Sequence, residues 1–178
     1  QSDFPKAAEW LPKAMAVEPD NPEIPVVLGL EIHAQDGDWK NMVAMFDKAM
    51  AIDPDKEIEI RGSFISVKDA VANYIEFYWA KEFNIGVEQF KKIQDDPDNK
   101  PKYLETAISH FQNAAVINPT DANTHATLAK CYFDVGDKEA AKNAALTAVE
   151  KNPESFEANF SAGQILVRAG LTSEKVLP

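Results

Sequence analysis

The sequence is poor in the residues that build covalent or metal-bound cores, with one cysteine and three histidines among 178 residues. Cys131 cannot form an internal disulfide, and we expect its side chain to be packed within a helix. His33, His110 and His125 fall in separate predicted helices and show neither metalloprotease spacing nor that of a nucleophile with its base. A glycine-rich phosphate loop is also missing. We therefore predict no catalytic residue, no metal site and no cofactor.

Positive charge and long apolar runs are scarce as well. The chain has 18 lysines and arginines against 29 acidic residues, giving a net charge of −11 and a pI near 4.7. Because this field repels a phosphate backbone, we expect no nucleic acid partner. No apolar run reaches the ~20 residues that span a bilayer, so we expect no membrane insertion. The first residues lack the features of a signal peptide, and no compartment is assigned.

One acidic run, Asp95 to Asn99, has the oxygen-rich composition of a calcium loop. Counted from Asp96, however, the sixth position is Pro101, where such loops need glycine. The twelfth position is Ala107, where they need glutamate. We interpret the run as a solvated turn.

What the sequence does contain is a helix-turn-helix pattern that ends at Pro153. Two predicted helices, 122–135 and 138–151, flank a turn at Gly136-Asp137. Small and apolar residues recur at helical spacing on one face of each helix: Leu128, Ala129, Tyr132, Ala141, Ala145 and Ala148. Because a lone helix pair cannot bury such a face, neighbouring copies must cover it.

Helix-ending prolines recur along the chain after an acidic or amide residue: Pro19, Pro54, Pro119 and Pro153. Their spacings are 35, 65 and 34 residues. A helix pair repeated every 34 residues resembles the tetratricopeptide repeat. The family's small, aromatic and proline positions are matched in two copies: Leu128, Tyr132, Ala141 and Pro153 in one, and Leu28, Gly29, Ile32, Met42, Phe46, Ala49 and Pro54 in the other.

The resemblance implies an all-α, right-handed superhelical solenoid of antiparallel helix pairs, forming one domain over residues 1–178. Its expected parts are a half repeat with only a second helix, a repeat, an enlarged repeat with about 31 inserted residues, a repeat and a partial repeat: 1–19, 20–54, 55–119, 120–153 and 154–178.

Both ends of the sequence fall inside a repeat. Asp3-Phe4 resembles the turn before a second helix, in which Pro12 predicts a kink. Gly170 resembles the next turn, and residues 171–178 are too few for a full second helix. Because solenoids close their ends with polar caps, we expect either a segment of a longer repeat protein or ends that another chain or copy covers.

The enlarged repeat allows two registers for its first helix. Either Ile85-Gly86 or Trp79-Ala80 occupies the Leu-Gly position, and the first is preferred because it leaves a helix of normal length before the acidic turn. In both registers we expect the insert to be helical, with one helix of about seven turns over 68–94. Gly62-Ser63 either starts that helix or separates it from a short preceding one.

In the family, the first helices line a concave groove that binds peptides. Carried onto this chain, the groove positions combine apolar and aromatic side chains with scattered basic ones: Leu30, His33, Phe83, Val87, Phe90, Lys91, Lys130, Phe133, Phe160, Gln164 and Arg168. Val26, Val27 and Leu30 stand where carboxylate-binding members place lysine and asparagine, so we expect no carboxylate clamp. We predict a helical or extended partner segment with apolar anchors, although core packing explains some of these phenylalanines equally well.

The insert concentrates aromatic residues, with seven of the 17 falling within 27 residues. Tyr74, Phe77 and Tyr78 share one helical face, and Trp79 extends it. This face either packs against adjacent repeats or docks a second subunit. Open solenoid ends offer a second route to a homo-oligomer.

The predicted function is therefore a non-enzymatic scaffold for protein or peptide partners. Two other classes also fit the sequence. The first alternative is a regulatory or recognition segment of a larger enzyme. The second is a helical domain with a small-molecule pocket beneath the insert.

Overall fold

The computed structural model describes residues 4–168. The chain divides into two compact units, Gln1–Phe77 and Tyr78–Pro178. The predicted turns at Asp3 and Gly170, and residues 171–178, lie outside the described part.

Three α-helices open the first unit: α1 (Phe4–Val17), α2 (Glu23–Leu28) and α3 (Trp39–Ile52). A π-helical segment, Gly29–His33, continues α2. It is π-helical because the Ala34 amide donates to the Gly29 carbonyl five residues back, at 2.9 Å. Helix α1 continues through Pro12, which lacks an amide hydrogen to donate.

The continuation of α2 lies against α3 at Gly29. A Cβ placed on Gly29 would lie 2.8 Å from the Phe46 ring, so the backbone can approach that ring only without a side chain. Phe46 and Met42 are fully buried beneath it. The small-residue position of the repeat pattern therefore has a packing cause in this copy.

The front of the insert is a β-hairpin, and the expectation of an all-helical insert is wrong there. Strands β1 (Glu57–Ile60) and β2 (Ser63–Ser66) pair antiparallel around the loop Arg61-Gly62. Both loop residues have positive φ, 52° and 81°, the conformation of the hairpin turn that matches strand twist. The alternation in β1 buries Ile58 and Ile60 on one face.

The long helix of the insert is confirmed as α4 (Val67–Asp95), 29 residues in length. It starts at Val67 rather than at Gly62. The Ser66 hydroxyl accepts from the Asp69 amide at 3.2 Å, which satisfies one free donor of the first turn. The hairpin therefore passes directly into a capped helix.

Up to residue 168, the second unit contains the C-terminal part of α4 and four further α-helices: α5 (Lys100–Ile117), α6 (Ala122–Asp134), α7 (Lys138–Lys151) and α8 (Phe156–Arg168). A short 3₁₀ turn, Pro97–Asn99, precedes α5. Helix α6 packs against α5, α7 and α8, and α7 also packs against α8. The all-α class of helix pairs is confirmed, and the superhelical handedness stays a prediction.

Aspartates cap three helices of the repeats, α3, α6 and α7. The carboxylates of Asp38, Asp121 and Asp137 each accept from the amide three residues later. Gly37 and Gly136 precede two of these caps with φ of 70° and 86°. Glycine enters this left-handed region without the Cβ clash that other residues meet.

The register of the enlarged repeat follows from Gly86. A Cβ there would lie 2.7 Å from the Phe111 ring of α5, which reproduces the relation of Gly29 to Phe46. Trp79 instead donates from its indole N–H to Thr124 Oγ1 on α6 at 2.9 Å. Gly86 therefore holds the small-residue position, as the preferred register predicts.

Candidate functional site

Helices α4, α6 and α8, which the repeat pattern assigns as first helices, follow one another in the second unit. Trp79 on α4 reaches Thr124 on α6, and α6 packs against α8. Thr124 is fully buried, and the hydroxyl that accepts from Trp79 also donates to Asp121 Oδ2 at 2.6 Å. This chain of hydrogen bonds holds the start of α6 against the middle of α4.

Helix α4 contributes predicted groove residues that are half-buried. Phe83, Val87 and Phe90 pack against a core cluster that contains Phe111, with ring centroids 5.2 Å and 6.3 Å away for the two phenylalanines. Lys91 is exposed. These apolar residues therefore belong partly to the core and show only a fraction of their surface.

Helix α6 contributes Lys130 and Phe133. Lys130 is exposed, whereas Phe133 is half-buried and packs on the cluster of Ala129, Ala141 and Ala145. The small alanines let α7 approach α6 closely. Phe133 thus stands at the rim of the core with its outer surface in solvent.

Helix α8 has the most accessible set. Phe160 is 55% exposed and stacks on Phe156 with ring centroids 5.6 Å apart. Gln164 and Arg168 are exposed and help to line a hollow of about 470 Å³ along this face. The hollow also includes Asn159, Gly163 and Val167.

The two remaining groove residues belong to the first unit. Leu30 is 1% exposed and lies in the core, so the expectation that it contacts a partner is wrong. His33 is half-buried, with Nδ1 3.4 Å from the Asp38 carboxylate. Hydrogen bonding from Asn41, together with this histidine, lowers the pKa of Asp38.

The predicted docking residues of α4 fall into different environments. Tyr74 is half-buried and Phe77 is 60% exposed, both in the first unit. In the second unit Tyr78 is 7% exposed, and Trp79 stacks on Phe83 at 5.4 Å. Tyr78 and Trp79 therefore pack inside the protein, and Tyr74 and Phe77 remain near solvent.

A family model described as tetratricopeptide repeat matches residues 103–164. This stretch is similar to tetratricopeptide repeat sequences. It contains most of α5, all of α6 and α7, and the larger part of α8. The resemblance drawn from the proline spacing and the small-residue positions is thereby confirmed.

Three solved structures are similar to the chain over 95% of its length: "Crystal structure of MamA" at 20% identity, "MamA RS-1 ArsTM double mutant" at 19% and "Crystal structure of MamA protein" at 20%. The chain covers 80%, 77% and 75% of those chains, with TM-scores of 0.42, 0.43 and 0.42. A search of curated proteins finds no match.

One buried polar cluster joins α4 to α5. The Glu82 side chain is 7% exposed and accepts from Asn113 Nδ2 at 2.9 Å, and His110 Nδ1 lies 2.7 Å from the same carboxylate oxygen. These bonds satisfy the carboxylate across the α4–α5 interface. The cluster fastens two helices and needs no catalytic role to explain it.

Cys131 packs in the repeat core as predicted. It is fully buried, and burial followed by the nearby Asp134 charge raises the pKa of the thiol to about 12. A thiol with this pKa is protonated at neutral pH and weakly reactive. Within residues 4–168, no three His, Cys, Asp or Glu side chains converge as metal ligands, and no helix is long and apolar enough to cross a membrane.

Sequence reasoning missed the hairpin, which helps to line a hollow within the insert. Hairpin residues and the α4 face enclose about 470 Å³: Ile60, Arg61, Ser63, Phe64, Ile65, Ala70, Asn73, Tyr74 and Phe77. Two signals were present, the alternation Glu-Ile-Glu-Ile in 57–60 and the glycine at position 62. They were outweighed by the helical pattern that follows.

Proposed function

We propose that this chain is a non-enzymatic interaction scaffold that binds a segment of another protein along α6 and α8. The observation that carries the proposal is the exposed face of α8, where Phe160 and its stacked neighbour Phe156 stand in solvent beside a hollow. Exposed aromatic pairs on a rigid helix supply large contact area at a small cost in conformational entropy.

The division into repeats belongs to this proposal. The units are 1–19, 20–54, 55–119, 120–153 and 154–178, and the last two contribute their first helices, α6 and α8, to the binding face. Equivalent positions then recur at the 34-residue spacing, so that Lys130 corresponds to Gln164 and Phe133 to Val167. The binding face thereby repeats one arrangement of an apolar position beside a polar one.

The chemistry of this face defines the partner segment. Phe133, Phe160 and Val167 offer apolar contacts, and Lys130 and Arg168 place positive charge beside them. An amphipathic helix or an extended segment with two apolar anchors fits this arrangement, with acidic residues between the anchors. Phe83, Val87 and Phe90 pack against the core cluster that also contains Leu128 and Cys131 of α6.

A peptide-display selection followed by affinity measurement tests the proposal. We expect selected peptides to combine large apolar residues at helical spacing with acidic ones, and to bind a purified chain in fluorescence anisotropy. Phe160→Ala should weaken binding about tenfold or more, since exposed aromatic anchors commonly dominate affinity. Phe133→Ala should act in the same direction, and Arg168→Glu should remove the preference for acidic peptides.

Trp10→Ala is the matched control, because Trp10 is an aromatic residue 61% exposed on α1 in the other unit. Its substitution should leave peptide affinity unchanged. Circular dichroism of each variant separates lost binding from lost fold. Peptides that bind Phe160→Ala and the parent chain equally well would contradict the proposed binding face.

A further inference from the structure

The hairpin is a two-stranded sheet, so the outer edge of each strand lacks a strand partner among the described residues. Among the described residues β2 pairs with β1 alone, so its other edge has no strand beside it. In a hairpin with a two-residue loop, the pair that flanks the loop exchanges hydrogen bonds, here Ile60 and Ser63. The next pair, Glu59 and Phe64, does not. The backbone N–H and C=O of Phe64 therefore point away from β1.

The two strands differ in charge. Strand β1 contains Glu57 and Glu59, both exposed, whereas the sequence Ser-Phe-Ile-Ser of β2 has no charged residue and no proline. Natural proteins commonly protect a free edge with charge, proline or a bulge. Strand β2 has neither charge nor proline, and it presents Phe64 at 73% exposure.

Charge also identifies what can occupy this edge. The whole chain carries a net charge of −11, so two copies repel each other over most of their surface. An uncharged strand is a place where two copies meet without adding to this repulsion. A two-stranded sheet is also below the size at which sheets are usually stable, and a second hairpin would make it four-stranded.

We propose that β2 pairs antiparallel with β2 of a second copy of this chain across a two-fold axis. Such a contact is isologous, because the same strand serves on both sides. Phe64 of each copy then enters the hollow of the other, whose walls include Tyr74 and Phe77 on α4. The inference goes beyond the proposed function, because it gives the predicted docking residues Tyr74 and Phe77 an occupant and a strand.

Oligomeric mass and amide exchange test the pairing. Light scattering on a dilution series should show a mass that rises from 19.7 kDa to twice that value with concentration. Hydrogen exchange at the Phe64 and Ser66 amides should slow over the same concentration range, because both amides face the new strand. Phe64→Lys should weaken the dimer about tenfold or more, since it removes an apolar anchor and places like charges at the axis.

Phe156→Lys is the matched control. Phe156 is also 73% exposed, and the substitution makes the same change in net charge. It should leave the dimer unchanged, whereas Phe64→Lys should leave peptide binding along α8 unchanged. Measuring both variants in both assays separates a wrong dimer proposal from a wrong peptide-binding proposal.

Three outcomes would overturn the inference. A constant monomer mass would leave β2 to a strand from a different protein. A dimer without concentration-dependent protection of the Phe64 amide would mean that another surface associates. If Phe64→Lys and Phe156→Lys weakened the dimer equally, the effect would come from net charge and not from contacts of β2.

Discussion

At the residue scale, glycine has two separate roles in this chain. Gly37, Gly62 and Gly136 occupy left-handed backbone at turns. Gly29 and Gly86 lie within helices and make room for a phenylalanine ring from the following helix. The sequence pattern located both kinds, yet the second kind acquires its reason only from the ring that lies opposite.

Gly86→Ala and Gly163→Ala form a matched pair of helical substitutions. At Gly86 the new methyl would lie 2.7 Å from the Phe111 ring, whereas at Gly163 nothing beyond the adjoining backbone of its own helix lies within 4 Å. Alanine gains roughly 1 kcal/mol of helix propensity at either position. We expect Gly86→Ala to unfold at lower urea concentration, with a free energy of unfolding about 1–3 kcal/mol below that of Gly163→Ala.

A second substitution identifies the cause. Phe111→Leu in the Gly86→Ala background should recover part of the loss, because the smaller side chain relieves the overlap. Strict additivity of the two effects would show that the ring contact is not responsible.

At the element scale, α4 is held to α6 by a chain of hydrogen bonds that no pattern in the sequence displays. Trp79 donates to Thr124, and Thr124 donates to Asp121, the residue that caps α6. The inter-helix contact and the helix cap therefore share one hydroxyl. Loss of that hydroxyl leaves a half-buried indole N–H without its acceptor.

Thr124→Val should cost about 1–3 kcal/mol of unfolding free energy, because it keeps the shape but removes the shared hydroxyl. In a double-mutant cycle with Trp79→Phe, the combined cost should fall short of the sum by about 0.5–1.5 kcal/mol. Thr147→Val is the control, since the Thr147 hydroxyl donates only to its own helix, at the Asn143 carbonyl. Thr147→Val should leave the free energy of unfolding nearly unchanged. A coupling energy of zero between Thr124→Val and Trp79→Phe would contradict the proposed role of the hydrogen bond between these two residues.

At the scale of the whole molecule, the net negative charge determines how stability depends on salt. The excess of 29 acidic over 18 basic residues is spread over helices in both units. Exposed ion pairs such as Lys13–Glu9 and Lys68–Asp55 each contribute little stability. The net repulsion therefore sets how the chain responds to salt.

Sodium chloride should raise the melting temperature of this chain by about 2–4 °C between low and physiological ionic strength. The reason is that screening weakens the self-repulsion of an acidic molecule more than it weakens a few exposed ion pairs. Differential scanning fluorimetry at fixed pH measures the shift.

A charge-reduced variant provides the comparison. Asp47→Lys with Glu105→Lys changes two exposed residues and brings the net charge from −11 to −7, since each substitution adds two positive units. The salt response of this variant should be smaller. An unchanged or larger response would mean that a specific ion site, and not the net field, determines the effect.

The sequence by itself determined the repeat architecture. Helical spacing of small residues, aspartate caps and prolines at a fixed period are local signals, and local signals fix where helices begin, end and pair. The ends of α7 coincide with the predicted 138–151, and α6 ends one residue before the predicted 135.

Tertiary structure alone decided which aromatic and apolar side chains are available to a partner. The repeat pattern places Leu30 and Phe160 in the groove, yet Leu30 is buried and Phe160 is exposed. The helical pattern of the insert places Tyr78 and Phe77 on one docking face, yet Tyr78 is buried and Phe77 is exposed. It also decided that 57–66 forms strands, because buried Ile58 and Ile60 and a left-handed loop outweigh the helical sequence that follows. Exposure depends on neighbours that are distant in sequence, and periodicity along one helix does not contain them.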